Sequence, residues 1–324
     1  MIDNLSRRKF LQLSGFTAVG LACSEAPLRG MPAYIKNLRR PNSVFNGVQI
    51  GVITYSFRHL TNDAEQLLKY CVECGISAVE LMGDPAEAFV GAPVAPTAPK
   101  WGAGADVEAW KTYAKRLAPW RAQVDMSGFE RLRRLYEDAG VKIYAYKPSA
   151  LGVNNTDAEI HYACRAAQTL GANHVNVEYP DNLEHTRRLA SIASKYKIAV
   201  GYHGHLQQTF HMWDAAIAQS PYNAINFDLG HYVAAGHDPL SFVTAKHKHI
   251  VSTHIKDRKN KENGAANLPW GEGDTPIGEF LRLMSKSRYK FPATIELEYP
   301  IPEGSDEVQE IAKCVEFARK ELCP

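Results

Sequence analysis

No run in this 324-residue chain approaches the 18 consecutive apolar positions that a helix needs to cross a bilayer. Cysteine is scarce. Five of the six (Cys71, Cys74, Cys164, Cys314 and Cys323) lie beyond residue 30, an odd number that cannot all pair within one chain. A small disulfide scaffold is thereby excluded. Neither sign of charge is in real excess: the net is +2, but residues 1–30 hold four basic and two acidic side chains, leaving 33 of each sign in residues 31–324. A neutral body exerts no general pull on nucleic acid or on an anionic membrane, and no nucleic-acid partner is expected. Internal repeats and low-complexity tracts are missing, and no GxGxxG follows the first apolar run, which removes the usual dinucleotide fingerprint. What remains is a chain that is 45% hydrophobic and 22% charged. At this length it can bury roughly three quarters of its unfolded surface.

The N-terminus carries an address. Ser6-Arg7-Arg8-Lys9-Phe10-Leu11 sets paired arginines before a mildly apolar stretch at 10–23, which at about 1.5 Å per residue is too short to span a core of about 30 Å. The segment resembles a twin-arginine export signal, so residues 1–30 are expected to be read by the twin-arginine translocase and the mature protein to be periplasmic or secreted. Leu21-Ala22-Cys23-Ser24 is similar to a lipoprotein cleavage site, but Gly20 stands where an aliphatic residue belongs. A lipid anchor at Cys23 is the lesser alternative. Residues 31–47 then read as a linker.

From residue 48 onward, short apolar runs alternate with amphipathic helical patterns. Strands are expected at 48–57, 76–82, 141–147, 174–179, 198–202, 224–228, 250–255 and 293–298, each rich in Val, Ile or Tyr as buried parallel strands are. Between them lie periodic stretches such as Phe129-x-x-Leu132-x-x-Leu135-Tyr136, stopped by Gly140, and the run from Ile160 to Leu170, stopped by Gly171. Cys71 and Cys74 fall in another such stretch, with Leu67, Leu68 and Val72, and read as small core side chains. Eight β-then-α units in about 280 residues predict a single-domain (β/α)8 TIM barrel over 48–324, with a doubly wound open sheet as the alternative. Two connections are long, at 83–104 and 258–274. Both follow strand C-termini, the face where barrel active sites lie, and are candidates for a lid or wall.

Polar residues gather on that face. Eight of the 12 histidines fall between His203 and His254, where even spreading would place about two. They stand with carboxylates at strand ends: Glu178; His203 and His205; Asp228 and His231; His254 and Asp257; Glu296 and Glu298. Side chains alternate along a strand, so Glu296 and Glu298 share a face, as do His203 and His205. An oxygen and nitrogen set of this kind suits one divalent metal such as Mn²⁺, Zn²⁺, Mg²⁺ or Co²⁺.

Asn226-Phe-Asp228-Leu-Gly230-His231, Ala235-Gly236-His-Asp238-Pro239, His254-Ile-Lys256-Asp257, Gly271-Glu-Gly273-Asp and Ile295-Glu296-Leu-Glu298 together resemble the conserved blocks of the xylose isomerase-like TIM barrels. That superfamily contains sugar isomerases and epimerases, inosose dehydratases, hydroxypyruvate isomerases and endonuclease IV. The resemblance implies one metal, most often Mn²⁺, held by Asp228, His254 and Glu296, with Glu298 an alternative to Glu296. At the fifth strand Tyr202-His203-Gly204-His205 departs from the epimerases' glutamate and is similar to the inosose dehydratase branch. The fourth ligand is either His203 or Glu178.

Such a metal favours removal of a proton α to a carbonyl. Glu178, Glu296 or Glu298 is the expected base, whichever the metal leaves free, and His203 or His205 the acid; of these Glu178, Glu298 and His205 are carried forward as the catalytic groups. Lys147 and Lys256 are expected to stabilise charge on substrate oxygens. Tyr55, Arg58 and Glu80 are candidates for the far wall, His231 for substrate binding, and Trp101 and Trp270 for stacking on a sugar. Epimerisation, isomerisation and elimination all remain open. An exported member is expected to take an unphosphorylated sugar, inositol or keto-sugar. Two other readings stand beside this one: a non-catalytic exported sugar-binding barrel, and an endonuclease IV-like phosphodiesterase suggested by Asp228-x-x-His231.

Overall fold

Asn46-Gly47 is the Asn-Gly pair that a tight hairpin requires, with both residues at positive φ (44° and 82°). It folds Val44–Phe45 antiparallel against the first barrel strand, so the end of the stretch read as linker is a structured edge of the barrel. The computed structural model describes residues 40–97 and 104–324. The export leader, Cys23, the first part of the linker and Trp101 lie outside the described residues.

The barrel strands are β1 (Val48–Ile53), β2 (Ala78–Met82), β3 (Lys142–Lys147), β4 (His174–Glu178), β5 (Ala199–His203), β6 (Asn223–Asp228), β7 (Ile250–Ile255) and β8 (Ala293–Ile295). Each runs parallel to its neighbours, and β8 pairs with β1 (Ala293 with Ile50, Ile295 with Val52), closing the sheet. This is the single (β/α)8 barrel that the alternation predicts, and the open sheet is ruled out. Two strands end earlier than expected. After β1 the chain turns into a single 3₁₀ turn at Thr54–Phe57, and Glu296 and Glu298 follow the last paired residue of β8.

The helices form where the periodicity puts them. Ala64–Glu73 is capped by the Asp63 side chain and buries Leu67, Leu68, Cys71 and Val72. Asp157–Leu170 opens on a reciprocal Thr156–Glu159 capping box and stops at Gly171 in the left-handed region. Of the long connections, one carries the extra helix Val107–Gln123, whose buried Arg121 pairs with Glu87 (2.8 Å) and Glu159 (3.2 Å) and so fastens it to the barrel's outer layer. The other is pinned by Asp257, whose carboxylate accepts the backbone N–H groups of Gly271, Gly273 and Thr275. Asp257 is therefore a loop fastener and does not join the acidic groups of the mouth.

The interior of the barrel is less apolar than its strands suggest. His174 Nε2 meets Ser252 Oγ at 3.0 Å, Asn226 donates to the same hydroxyl at 2.6 Å, and Tyr144 pairs with Thr294 at 2.6 Å. This buried polar column is the floor on which the site stands.

Candidate active site

Four strands deliver one side chain each to a common point. His203 closes β5, Asp228 closes β6, His254 sits near the end of β7, and Glu296 follows β8. One potential ligand atom from each lies within 4.8 Å of the others, and all four residues are buried. The two candidates for a fourth ligand are held differently. Asn226 gives its amide N–H to Ser252, so its carbonyl oxygen faces His203 Nδ1 at 2.7 Å and must accept that nitrogen's proton. His203 is left with its Nε2 lone pair, 3.9 Å from Asp228 Oδ2. Glu178, by contrast, has both oxygens engaged, by Lys147 at 2.9 Å and by His205 at 2.7 Å.

Asp228 makes the case for a cation most directly. Its Oδ1 caps the short helix Leu229–Ala234 by accepting the His231 backbone N–H at 2.7 Å. Its Oδ2 is buried with no aligned hydrogen bond; the Lys256 ammonium stands 3.0 Å away as an ion pair only. A buried carboxylate oxygen that accepts no hydrogen bond among the described residues and faces an imidazole lone pair fits a divalent metal held by His203, Asp228, His254 and Glu296.

Charge dominates the surroundings. Glu80, Glu178, Asp228, Glu296 and Glu298 face Lys147 and Lys256, an excess of formal negative charge. Burial opposes protonation of His254, but Glu296 at 2.9 Å and Glu80 at 3.0 Å outweigh it and push its pKa up to about 10. Lys256 reaches Glu296 at 2.7 Å and Glu298 at 2.8 Å, and with Asp228 these carboxylates hold its pKa above the ordinary value against the cost of burial. Space for that lysine comes from Gly230, where a Cβ would fall 2.3 Å from Lys256 Cγ. His205 is half exposed at the mouth, and its hydrogen bond to Glu178 raises its pKa.

A second cluster, His203, His205 and His231, has ligand atoms equally close. Arg258 decides against it. Its guanidinium stands 2.7 Å from His231 Nδ1 and the Lys256 ammonium 3.2 Å from Nε2, so cationic donors face both nitrogens of the ring. Burial and Lys256 push the His231 pKa down to about 2. Held neutral between two cations, His231 has both nitrogens occupied and is poorly placed to ligate a metal.

The expected far wall is rearranged. Arg58 stacks over Tyr55 (4.4 Å to the ring centroid) and donates to the Leu297 carbonyl at 2.8 Å, tying the end of β1 to the segment after β8. Glu80 is wholly buried and meets His254 Nε2 at 3.0 Å, beneath the cluster and not on an open wall. Trp270 packs edge-on against Phe317 of the C-terminal helix Glu307–Leu322, which draws it away from the stacking role expected of it. Sequence reasoning missed the roles of Asn226, Ser252 and Arg258. The first two are legible in part, because Asn226 and Asp228 share a strand face, as do Ser252 and His254. Arg258 carries no such signal.

A family model for the xylose isomerase-like TIM barrel matches residues 68–320. The chain belongs to this family. Among solved structures, the protein described as the probable 3-DHS dehydratase AsbF from Bacillus anthracis superposes with a TM-score of 0.61 at 14% identity, over 83% of this chain and 97% of its own. A sugar phosphate isomerase/epimerase from Parabacteroides distasonis gives 0.57 at 16% identity, over 86% and 95%. A xylose isomerase-like TIM barrel protein from Mycobacterium smegmatis in complex with magnesium gives 0.53 at 17%, over 79% and 87%. No curated protein matches. At these identities the superpositions establish the fold shared within the family.

Proposed function

We propose that this xylose isomerase-like barrel is a divalent-metal-dependent enzyme, with Mn²⁺ its most suitable cation. It would remove a proton α to a carbonyl of an unphosphorylated sugar, inositol or keto-sugar, with isomerisation, epimerisation or elimination as the outcome. The observation that carries this reading is the pairing of the free Nε2 of His203 with the orphaned Oδ2 of Asp228, beside His254 and Glu296. A bound divalent cation would polarise a carbonyl and its neighbouring hydroxyl and lower the cost of the enediolate.

The protein's own groups do the rest. Glu298 is 24% exposed and ion-paired to Lys256, which places a carboxylate at the edge of the mouth as the proton acceptor. Glu178, fixed by Lys147, orients His205 and raises its proton affinity, so His205 is suited to return a proton on another side of the substrate. His231, neutral beside Lys256, would line the substrate site, while Lys256 and Lys147 would offset developing negative charge. The substrate class rests on the twin-arginine pattern at Arg7-Arg8: sugar phosphates are chiefly cytosolic, and no Gly-rich phosphate cradle is present in the sequence.

The test is a panel of ketoses, inososes and 3-keto-glycosides incubated with Mn²⁺-loaded protein and read by NMR. Turnover that disappears in Asp228→Ala, together with bound metal in the wild type, supports the enzyme. Sugar affinity without metal or turnover overturns it in favour of a binding protein.

A further inference from the structure

Glu80 is the third residue of β2 and is fully buried in the barrel. Its Oε2 lies 3.0 Å from His254 Nε2, and its Oε1 has no hydrogen-bond partner among the described residues. The other nitrogen of the same ring, Nδ1, faces Glu296 Oε2 at 2.9 Å. Two carboxylates thus claim the two nitrogens of one imidazole. Without a metal the protonated ring gives one N–H to each carboxylate, whereas a ring that ligates a metal is neutral and has only one proton to give.

We propose that Glu80 takes the Nε2–H of His254 and so commits Nδ1 to the cation, making Glu80 the positioning residue of the metal centre. This rests on the metal-dependent reading above and deepens it. The direction follows from what gathers on each side of the ring. Glu296 Oε2 shares the Lys256 ammonium, at 2.7 Å, with Asp228 Oδ2, at 3.0 Å, so the Nδ1 side is where the ligand oxygens converge. On the Nε2 side the carboxylate is Glu80, with Lys147 and Asn176 near it. With the opposite tautomer, Nδ1–H would donate to Glu296 Oε2 and remove that nitrogen from the ligand set while engaging one oxygen of Glu296. His203 follows the same logic, with Asn226 holding Nδ1–H and leaving Nε2 to ligate. The two ligating rings would bind through different nitrogens, each selected by a buried acceptor behind it. Such partners are commonly worth 10–100-fold in metal affinity.

The experiment titrates Mn²⁺ into metal-free full-length protein by calorimetry and compares wild type with Glu80→Met and Glu80→Gln. Glu80→Met is expected to weaken Mn²⁺ binding by about 10–100-fold. Glu80→Gln, whose amide oxygen can still accept the Nε2 proton, is expected to lose less. In protein labelled with ¹⁵N-histidine and loaded with ¹¹³Cd²⁺, the His254 coupling, identified by its loss in His254→Gln, is expected at Nδ1. This reading needs no Glu80 variant and so stands if Glu80→Met fails to fold. Coupling at Nε2, or unchanged Mn²⁺ affinity in both variants, overturns the proposal while leaving the metal site in place. A wild type that takes up neither ion overturns both.

Discussion

The ammonium of Lys256 stands 3.0 Å from Oδ2 of Asp228, with both side chains almost wholly buried. This lysine sits among the acidic groups of the mouth, touching Glu296 and Glu298 as well. Lys256→Met is therefore expected to leave buried carboxylates facing one another, at a cost of about 3–5 kcal/mol. Thermal unfolding checks this. The melting temperature of Lys256→Met should fall below that of the wild type, and Mn²⁺ should raise it by more than it raises the wild type.

His203 and Glu178 separate cleanly by substitution. His203→Ala removes a ligand and should abolish stoichiometric metal in the purified protein. Glu178→Gln should retain the metal and lose about 10²–10⁴-fold in turnover, because it releases His205 and Lys147 and leaves the four ligands untouched. Metal content by mass spectrometry beside initial rates distinguishes the two.

The barrel floor carries its own pH dependence. Burial depresses the pKa of His174 from 6.5 to about 4, with Glu80 and His254 acting in opposite directions as lesser influences. The folded state thus holds His174 neutral, while the unfolded chain takes up a proton below about 6.5. The stabilisation is complete above pH 6.5 and drains away as pH falls toward 4, by about 3 kcal/mol in all. Urea unfolding of wild type and His174→Gln at a series of pH values checks this. The variant should lack that part of the acid loss.

The barrel was legible because each strand and helix states its period locally. The runs at 141–147 and 250–255, and the stop at Gly171, need no tertiary information. The cluster that could hold a metal was legible in part from strand-end chemistry and family resemblance, which single out Asp228, His254 and Glu296. The choice of His203 over Glu178 was not, because it depends on Asn226 and Ser252 on one side and on Lys147 and His205 on the other. The contacts of Glu80 and Trp270 were hidden for a related reason. A glutamate inside a strand and a tryptophan in a loop look like wall residues until the partners that claim them, His254 and Phe317, are seen.

Asp228→Ala deletes both the orphaned oxygen and the cap on Leu229–Ala234. Loss of the cap should cost about 1 kcal/mol, and circular dichroism should still report a folded barrel. Bound metal should be absent and turnover undetectable. Turnover that survives would refute the site.

The most direct test of the central claim is solvent deuterium exchange. Mn²⁺-loaded protein in D₂O, given the keto-sugar or inosose it turns over, is predicted to place deuterium on the carbon next to the carbonyl, in returned substrate or in product. Asp228→Ala should place none. A wild type that converts its substrate with no deuterium at that carbon would contradict proton abstraction as the chemistry of this barrel.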